Sequence, residues 1–262
     1  MAFSQQMSKV MIIKSIADWL KVHKQISTSR DIGFIPTMGN LHLGHQSLCE
    51  RSKKENDITV LSIFINPTQF DCTKDFCAYP KTISEDIKLA EKTGVDFVFM
   101  PNYADLYPDN YTYKIIENDL SNQMEGMHRH GHFDGVLTIV MKLFMIIQPT
   151  KAYFGEKDWQ QLQLVKGMVK ALHSNIEIVS CPTIRDINGL ALSSRNNLLN
   201  KQQYQIAINF PKLLMSDKSL TEVKTLLEKL GIKVDYIEEH YGRRFAAVRL
   251  GNVRLIDNVE IK

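Results

Sequence analysis

Ile32-Gly33-Phe34-Ile35-Pro36-Thr37-Met38-Gly39-Asn40-Leu41-His42-Leu43-Gly44-His45 carries an apolar run into a turn that holds two histidines three residues apart. Residues 46–54 continue in a helix-like pattern, so the stretch reads as a strand, a turn and the start of a helix. That spacing places both imidazoles on one face of the first helical turn. Unsatisfied N–H groups and a partial positive charge at a helix N-terminus favour an anion. Gly39 lets the backbone approach a ligand, and Gly44 lets the two rings pack closely. The combination points to phosphate and hence to nucleotide chemistry. Two plainer readings stand beside it: half of a zinc site, for which no cysteine or carboxylate has the completing spacing, or a pair of histidines that caps the helix.

Strand-like and helix-like segments alternate around this turn. Strands are expected at 31–36, 58–65, 96–100, 151–154 and 176–180. Helices are expected at 44–56, 84–93 (closed by Gly94 at the C′ position), 136–147 and 158–172. Such alternation implies right-handed crossovers and an α/β fold, a parallel sheet covered on both faces. Ligands of these sheets bind beyond the carboxyl ends of the strands. The polar segments 36–45, 66–70 and 155–158 lie at those ends. From about residue 185 the texture changes to a turn at 186–189, a helix at 220–230 and strands at 233–237, 244–250 and 253–256. The expected organisation is therefore a first domain, 1–184, and a small α+β domain, 185–262, that covers it.

Composition excludes several classes. Of 262 residues, 44% are hydrophobic and 23% charged, as in ordinary soluble domains. A net charge of +3 with scattered basic residues argues against nucleic acid as a partner. The apolar run 136–147 is broken by Thr138 and Lys142 and is too short to span a bilayer. Cys49, Cys72, Cys77 and Cys181 form no C-x-x-C pair, and residues 1–10 lack an apolar leader. Reduced thiols in a cytoplasmic protein are expected.

Four further segments bear on chemistry. Asn66 and Gln69 place amides at the mouth of an apolar strand, where the plain alternative is an Asn-Pro turn. Gly155, Glu156, Lys157 and Asp158, followed by Gln161, suit phosphate and ribose; Asp158 alone is explained equally well as a helix N-cap. Leu192, Ser193, Ser194 and Arg195 gather hydroxyls and a guanidinium that can follow a leaving phosphate, or else a simple N-cap and a surface arginine. His128, Arg129, His130 and His132 cluster near Gly131 as an anion-facing wall, with no carboxylate or cysteine at metal-like spacing.

These residues together resemble the pantothenate synthetase family, AMP-forming ligases that join pantoate to β-alanine. The matching pieces run in order: P-T-M-G-N-L-H-L-G-H (36–45), F-I-N-P-T-Q-F (64–70), M-E-G (124–126), G-H-F-D-G-V (131–136), F-G-E-K-D-W-Q-Q-L (154–162) and G-L-A-L-S-S-R-N (189–196). The first is also similar to the HIGH signature of nucleotidylyltransferases, and 192–195 to its KMSKS-type counterpart. The resemblance implies a Rossmann-like N-terminal domain, a C-terminal lid and a homodimer. It implies ATP as substrate, bound by Met38, Gly39, Asn40, Leu41, His42, Leu43, Gly44, His45, Gly155, Glu156, Lys157, Asp158, Ile184, Leu192, Ser193, Ser194 and Arg195. The catalytic set it implies is His45, His42, Lys157, Ser193, Ser194 and Arg195, with the histidines acting as imidazolium. Gln69 and Gln161 would hold pantoate and β-alanine. Mg²⁺ would ride on the ATP phosphates and keep its waters, with Asp86 as an outer partner. His130 replaces the family's usual proline, Asn188 its aspartate, and the C-terminal unit is shorter than usual. A nucleotidylyltransferase acting on a phosphorylated small molecule is the alternative enzyme, and a nucleotide-binding regulatory module the non-enzymatic one.

Overall fold

The computed structural model describes residues 9–26 and 29–261. The expectation of no apolar leader at residues 1–8 lies outside the described residues.

Strands Met11–Ile13 (β1), Ile32–Thr37 (β2), Ile58–Ile63 (β3), Phe97–Phe99 (β4), Lys151–Gly155 (β5) and Glu177–Cys181 (β6) form one parallel sheet. The order is β1-β4-β3-β2-β5-β6. Adjacent residues along the strands fall to opposite faces. Phe34, Val60, Phe99 and Ala152 face one apolar layer, shared with helices Ile16–His23 (α1), His132–Ile147 (α7) and Trp159–Ala171 (α8). Ile35, Leu61, Val98 and Tyr153 face the other, shared with Leu43–Glu55 (α2) and Ile83–Lys92 (α4). Helices Thr73–Ala78 (α3), Tyr103–Leu106 (α5) and Met124–His128 (α6) are short and lie in the connections.

From β2 the chain builds β3 and β4 on one side, then returns to build β5 and β6 on the other. The connections leaving β2 and β5 therefore diverge, which opens a crevice beyond Thr37 and Gly155. After β6, helices Lys201–Ala207 (α9), Asn209–Leu214 (α10) and Leu220–Lys229 (α11) accompany an antiparallel sheet of Lys233–His240 (β7), Arg243–Leu250 (β8) and Val253–Glu260 (β9). This part has its own apolar cluster around Phe210, Leu214, Leu227, Val248 and Leu255.

The larger elements lie where the apolar pattern puts them, and the differences have local causes. Helix α7 begins at His132, not 136, because Gly131 turns the chain in the left-handed region and Phe133 adds to the core. Strands β7 and β9 run to His240 and Glu260, past their expected ends, because both pair with β8 along its length. Strand β1 was not expected; its three residues are held by pairing with β4.

The two sheets are tied by a buried ion pair. Arg254 on β9 donates through both terminal nitrogens to Glu125 on α6, each at 2.7 Å, and the Tyr236 hydroxyl adds a bond at 3.0 Å. Burial alone would raise the Glu125 carboxyl, yet the Arg254 hydrogen bonds and charge outweigh it and hold it at about 2.

Candidate active site

The turn after β2 is organised from inside the protein. Gly39 and Asn40 both lie in the left-handed region, at φ 79° and 50°. Asp86 on α4, buried, accepts the N–H of Asn40 at 3.0 Å and of Leu41 at 2.7 Å, and the Thr82 hydroxyl at 3.2 Å. Thr37 Oγ1 accepts the Gly39 N–H. His42 Nδ1 accepts the Gly44 N–H at 3.1 Å, and His45 Nδ1 accepts the His42 N–H at 3.3 Å. The N–H groups of residues 39, 40, 41, 42 and 44 are thus spent internally. Those five N–H groups are therefore unavailable to a phosphate in this arrangement. The Asp86 oxygens fasten the turn.

Helix capping and site formation turn out to be one arrangement. With each Nδ1 accepting, the ring proton of both histidines sits on Nε2. Their centroids are 4.1 Å apart, and a Cβ at Gly44 would meet His42 Cε1 at 2.8 Å, so any other residue there would displace the His42 ring. Burial, with the Lys157 charge behind it, pushes His42 down to about 4. Burial, then His42 and Lys157, holds His45 well below its ordinary value. Both rings are neutral near pH 7, so the expected imidazolium is replaced by a pair of neutral Nε2–H donors.

Gln69 ends a short turn, Pro67–Gln69, that leads off the sheet. Its Oε1 accepts from Asn66 Nδ2 at 3.1 Å, which leaves its NH₂ as the free end. Asn66 is itself fixed by Thr68, Tyr107 and the Gly135 carbonyl. Asn66 therefore lines the cleft but spends its amide on orienting Gln69. Gly135 lets α7 reach this turn, since a Cβ there would lie 2.4 Å from the Thr68 oxygen. Gln161, half-buried on the first turn of α8, has no hydrogen-bond partner among the described residues.

Residues 156–158 form a 3₁₀ turn between β5 and α8. Asn258 on β9 donates to the carbonyls of Glu156 and Lys157, both at 2.9 Å. Lys157 Nζ lies 3.7 Å from Asp158, too far for a tight bond. On the far side, Ser194 Oγ donates to the Asn40 carbonyl and Asn40 Nδ2 to the Ser194 carbonyl, lacing the two loops together. Ser193 donates to Asn196, and Arg195 is paired with Asp75 on α3 at 2.7 Å.

A cleft of about 270 Å³ brings together Met38, His42, Gly44, His45, Gly155, Lys157, Asp158, Ile184, Leu192, Ser193, Ser194, Arg195, Gln69 and Gln161. Gly39, Asn40, Leu41, Leu43 and Glu156 do not line it. Asn40 is buried as a loop fastener, Leu43 points to solvent, and Glu156 offers its carbonyl to Asn258. Sequence reasoning missed Tyr79, Thr183 and Asn258, whose positions follow from loop packing and not from a motif. Among the described residues no three His, Cys, Asp or Glu gather in a metal-binding group, and no helix is long and apolar enough to cross a membrane. The four cysteines are unpaired.

Fold and cleft together define a Rossmann-like α/β protein with a cationic, amide-lined site at the switch point of its sheet. The family model for pantoate-beta-alanine ligase matches residues 10–260. The chain is 53% identical to the pantothenate synthetase of Legionella pneumophila (strain Corby), over 95% of this chain and 99% of that one. It is also 53% identical to that of Coxiella burnetii (strain Dugway 5J108-111), over 95% and 96%. The crystal structure of pantoate-beta-alanine ligase from Francisella tularensis, complexed with beta-gamma ATP and beta-alanine, superposes with a TM-score of 0.93 at 40% identity, over 96% of this chain and 97% of that one. The chain belongs to the pantoate-beta-alanine ligase family. Its Legionella relative is spanned almost end to end, so a C-terminal unit of this size is shared with that protein.

Proposed function

We infer that this protein joins pantoate to β-alanine at the expense of ATP, giving pantothenate, AMP and pyrophosphate through a pantoyl adenylate. A carboxylate oxygen of pantoate bonds to the α-phosphorus as the bond to pyrophosphate breaks, and pyrophosphate leaves with the electron pair. The β-alanine nitrogen then bonds to the acyl carbon, AMP leaves, and the nitrogen loses a proton. Such chemistry needs positioning and charge neutralisation more than covalent catalysis.

Gln69 and Gln161 orient pantoate through their free amide groups. The Nε2–H groups of His42 and His45 and the Lys157 ammonium meet the charge that grows on the phosphates. Gly155 and Asp158 hold the ribose, the backbone at Ile184 the adenine, and Ser193, Ser194 and Arg195 the departing pyrophosphate. For those three, the bonds to Asn196, Asn40 and Asp75 must be exchanged for bonds to phosphate. Among the described residues, Asp158 is the only carboxylate lining the cleft, a donor set that suits Mg²⁺ carried on phosphates with its waters rather than caged by protein. Residues 185–262 act as the lid over the domain formed by 1–184, in a cytoplasmic homodimer.

The observation that carries this reading is the convergence of two Nε2–H donors, one loosely paired lysine and two free amides on one cleft. The amides favour a hydroxy acid over the phosphorylated substrate of a nucleotidylyltransferase. Pyrophosphate–ATP exchange with pantoate present and β-alanine absent is the test. Exchange that depends on pantoate is expected. Exchange that needs a phosphorylated acceptor would favour the nucleotidylyltransferase, and ATP binding without exchange a regulatory module.

A further inference from the structure

Strands β5 and β6 pair as far as Gly155 and Cys181, and beyond that pair the chain leaves the sheet twice. One departure presents Lys157 and the other the backbone of Ile184, and both line the cleft. No main-chain hydrogen bond joins 156–158 to 182–184 among the described residues. The adenine side and the phosphate side of the site are therefore not held together by the sheet itself.

Arg185, next to Ile184, spans the gap. Its Nη1 donates to Asp257 Oδ2 at 2.6 Å and its Nη2 to Asp257 Oδ1 at 2.9 Å, a forked fit that a lysine cannot make. Nη1 donates also to the Gly189 carbonyl at 3.1 Å, and Nη2 to the Asn258 carbonyl at 3.4 Å. Asp257 on β9 is 3% exposed, and among the described residues no other cation pairs with it. Its Oδ1 accepts the N–H of Asn258 at 2.8 Å. The Asn258 amide in turn holds the carbonyls of Glu156 and Lys157. From Ile184 to Lys157 the path is thus a peptide bond, a forked ion pair, a second peptide bond and a hydrogen bond. Every link is short and directional.

A nucleotide that touches both sides gains from the second contact only if the first holds it at the right distance. We propose that Arg185 is a positioning residue for ATP, fixing the backbone at Ile184 relative to Lys157 so that adenine and phosphates are met together. It touches neither substrate and acts through Asp257 and Asn258. The proposal rests on the ligase reading above. Gln69 and Gln161, the amides read as holding pantoate, stand outside this path.

The test uses the full chain with Arg185→Lys, which keeps a counter-charge for Asp257 but loses the fork. If that variant does not fold, Arg185→Gln combined with Asp257→Asn removes both charges together and takes its place. In pantoate-dependent pyrophosphate–ATP exchange the KM for ATP is expected to rise about tenfold, the scale of one anchoring bond, with the KM for pantoate unchanged. The decisive readout is the advantage of ATP over inorganic tripolyphosphate, used as an inhibitor that meets the phosphate side alone. A fall of about tenfold in that advantage supports the proposal. An unchanged KM for ATP, an equal rise in the KM for pantoate, or equal weakening of ATP and tripolyphosphate overturns it. Absence of exchange in the unsubstituted chain would instead sink the ligase reading.

Discussion

The side-chain amide of Asn258, on the last strand of the C-terminal sheet, donates to the main-chain carbonyl of Lys157 in the cleft at 2.9 Å. A second bond to the Glu156 carbonyl and one received from Arg243 Nε at 2.8 Å fix that amide in place. The C-terminal sheet therefore sets the geometry of the turn that presents the lysine. Asn258→Leu leaves two carbonyls without a donor, at about 1–3 kcal/mol for a buried group. Exchange is expected to slow about tenfold, the effect of a misplaced charge on a positioned reaction. A rate within twofold of the parent, in a variant that remains folded by circular dichroism, would show that the turn holds itself.

The two roles of His42 can be separated. Asparagine caps a helix as well as any residue, whereas alanine does not. His42→Asn is expected to keep the thermal midpoint of the parent while adenylate formation falls about a hundredfold, the scale of one lost preorganised donor. His42→Ala should lose activity and also about 1 kcal/mol of stability. Equal stability of the two variants would refute the capping role.

Acid should destabilise the fold earlier than its carboxylates alone require. His42 sits at about 4 and His132 at about 3, against an ordinary 6.5. The unfolded chain therefore binds protons that the folded chain refuses, so stability is full above 6.5 and falls as the pH drops towards 3 to 4. Each ring costs up to about 1.4 kcal/mol per pH unit in that window. Glu125, at about 2 in the fold, adds its own loss only below 4.5. Urea midpoints measured from pH 7.5 to 5 should decline, and a flat profile would contradict neutral buried rings.

Removing one member of the buried pair between the sheets is expected to cost more than removing both. Glu125→Gln leaves the Arg254 guanidinium buried without its carboxylate, at about 3–5 kcal/mol. Replacement of Glu125 and Arg254 together by leucine should cost less. A double-mutant cycle on thermal stability decides it, with additive losses arguing against direct coupling.

The motif at 36–45 could be read because glycines and histidines at fixed spacing have few uses, and the strands because their side chains are apolar on both faces. The states of the same residues could not be read. That His42 and His45 are neutral depends on burial and on which nitrogen accepts a backbone N–H. That Asp86 serves the turn depends on α4, which lies more than forty residues away. Asn66 looked like a substrate amide and proved to be the support for Gln69, because Tyr107 and Gly135 are brought to it only by folding.

Local pattern thus determined the parallel sheet from β2 onward, the alternation of its larger strands and helices, and the residue types gathered at the strand ends, since periodicity and turn chemistry act over a few residues. Tertiary structure decided what each of those residues does. Charge state, free donors and cleft shape depend on what distant segments bring within 3 Å, and no local pattern encodes that.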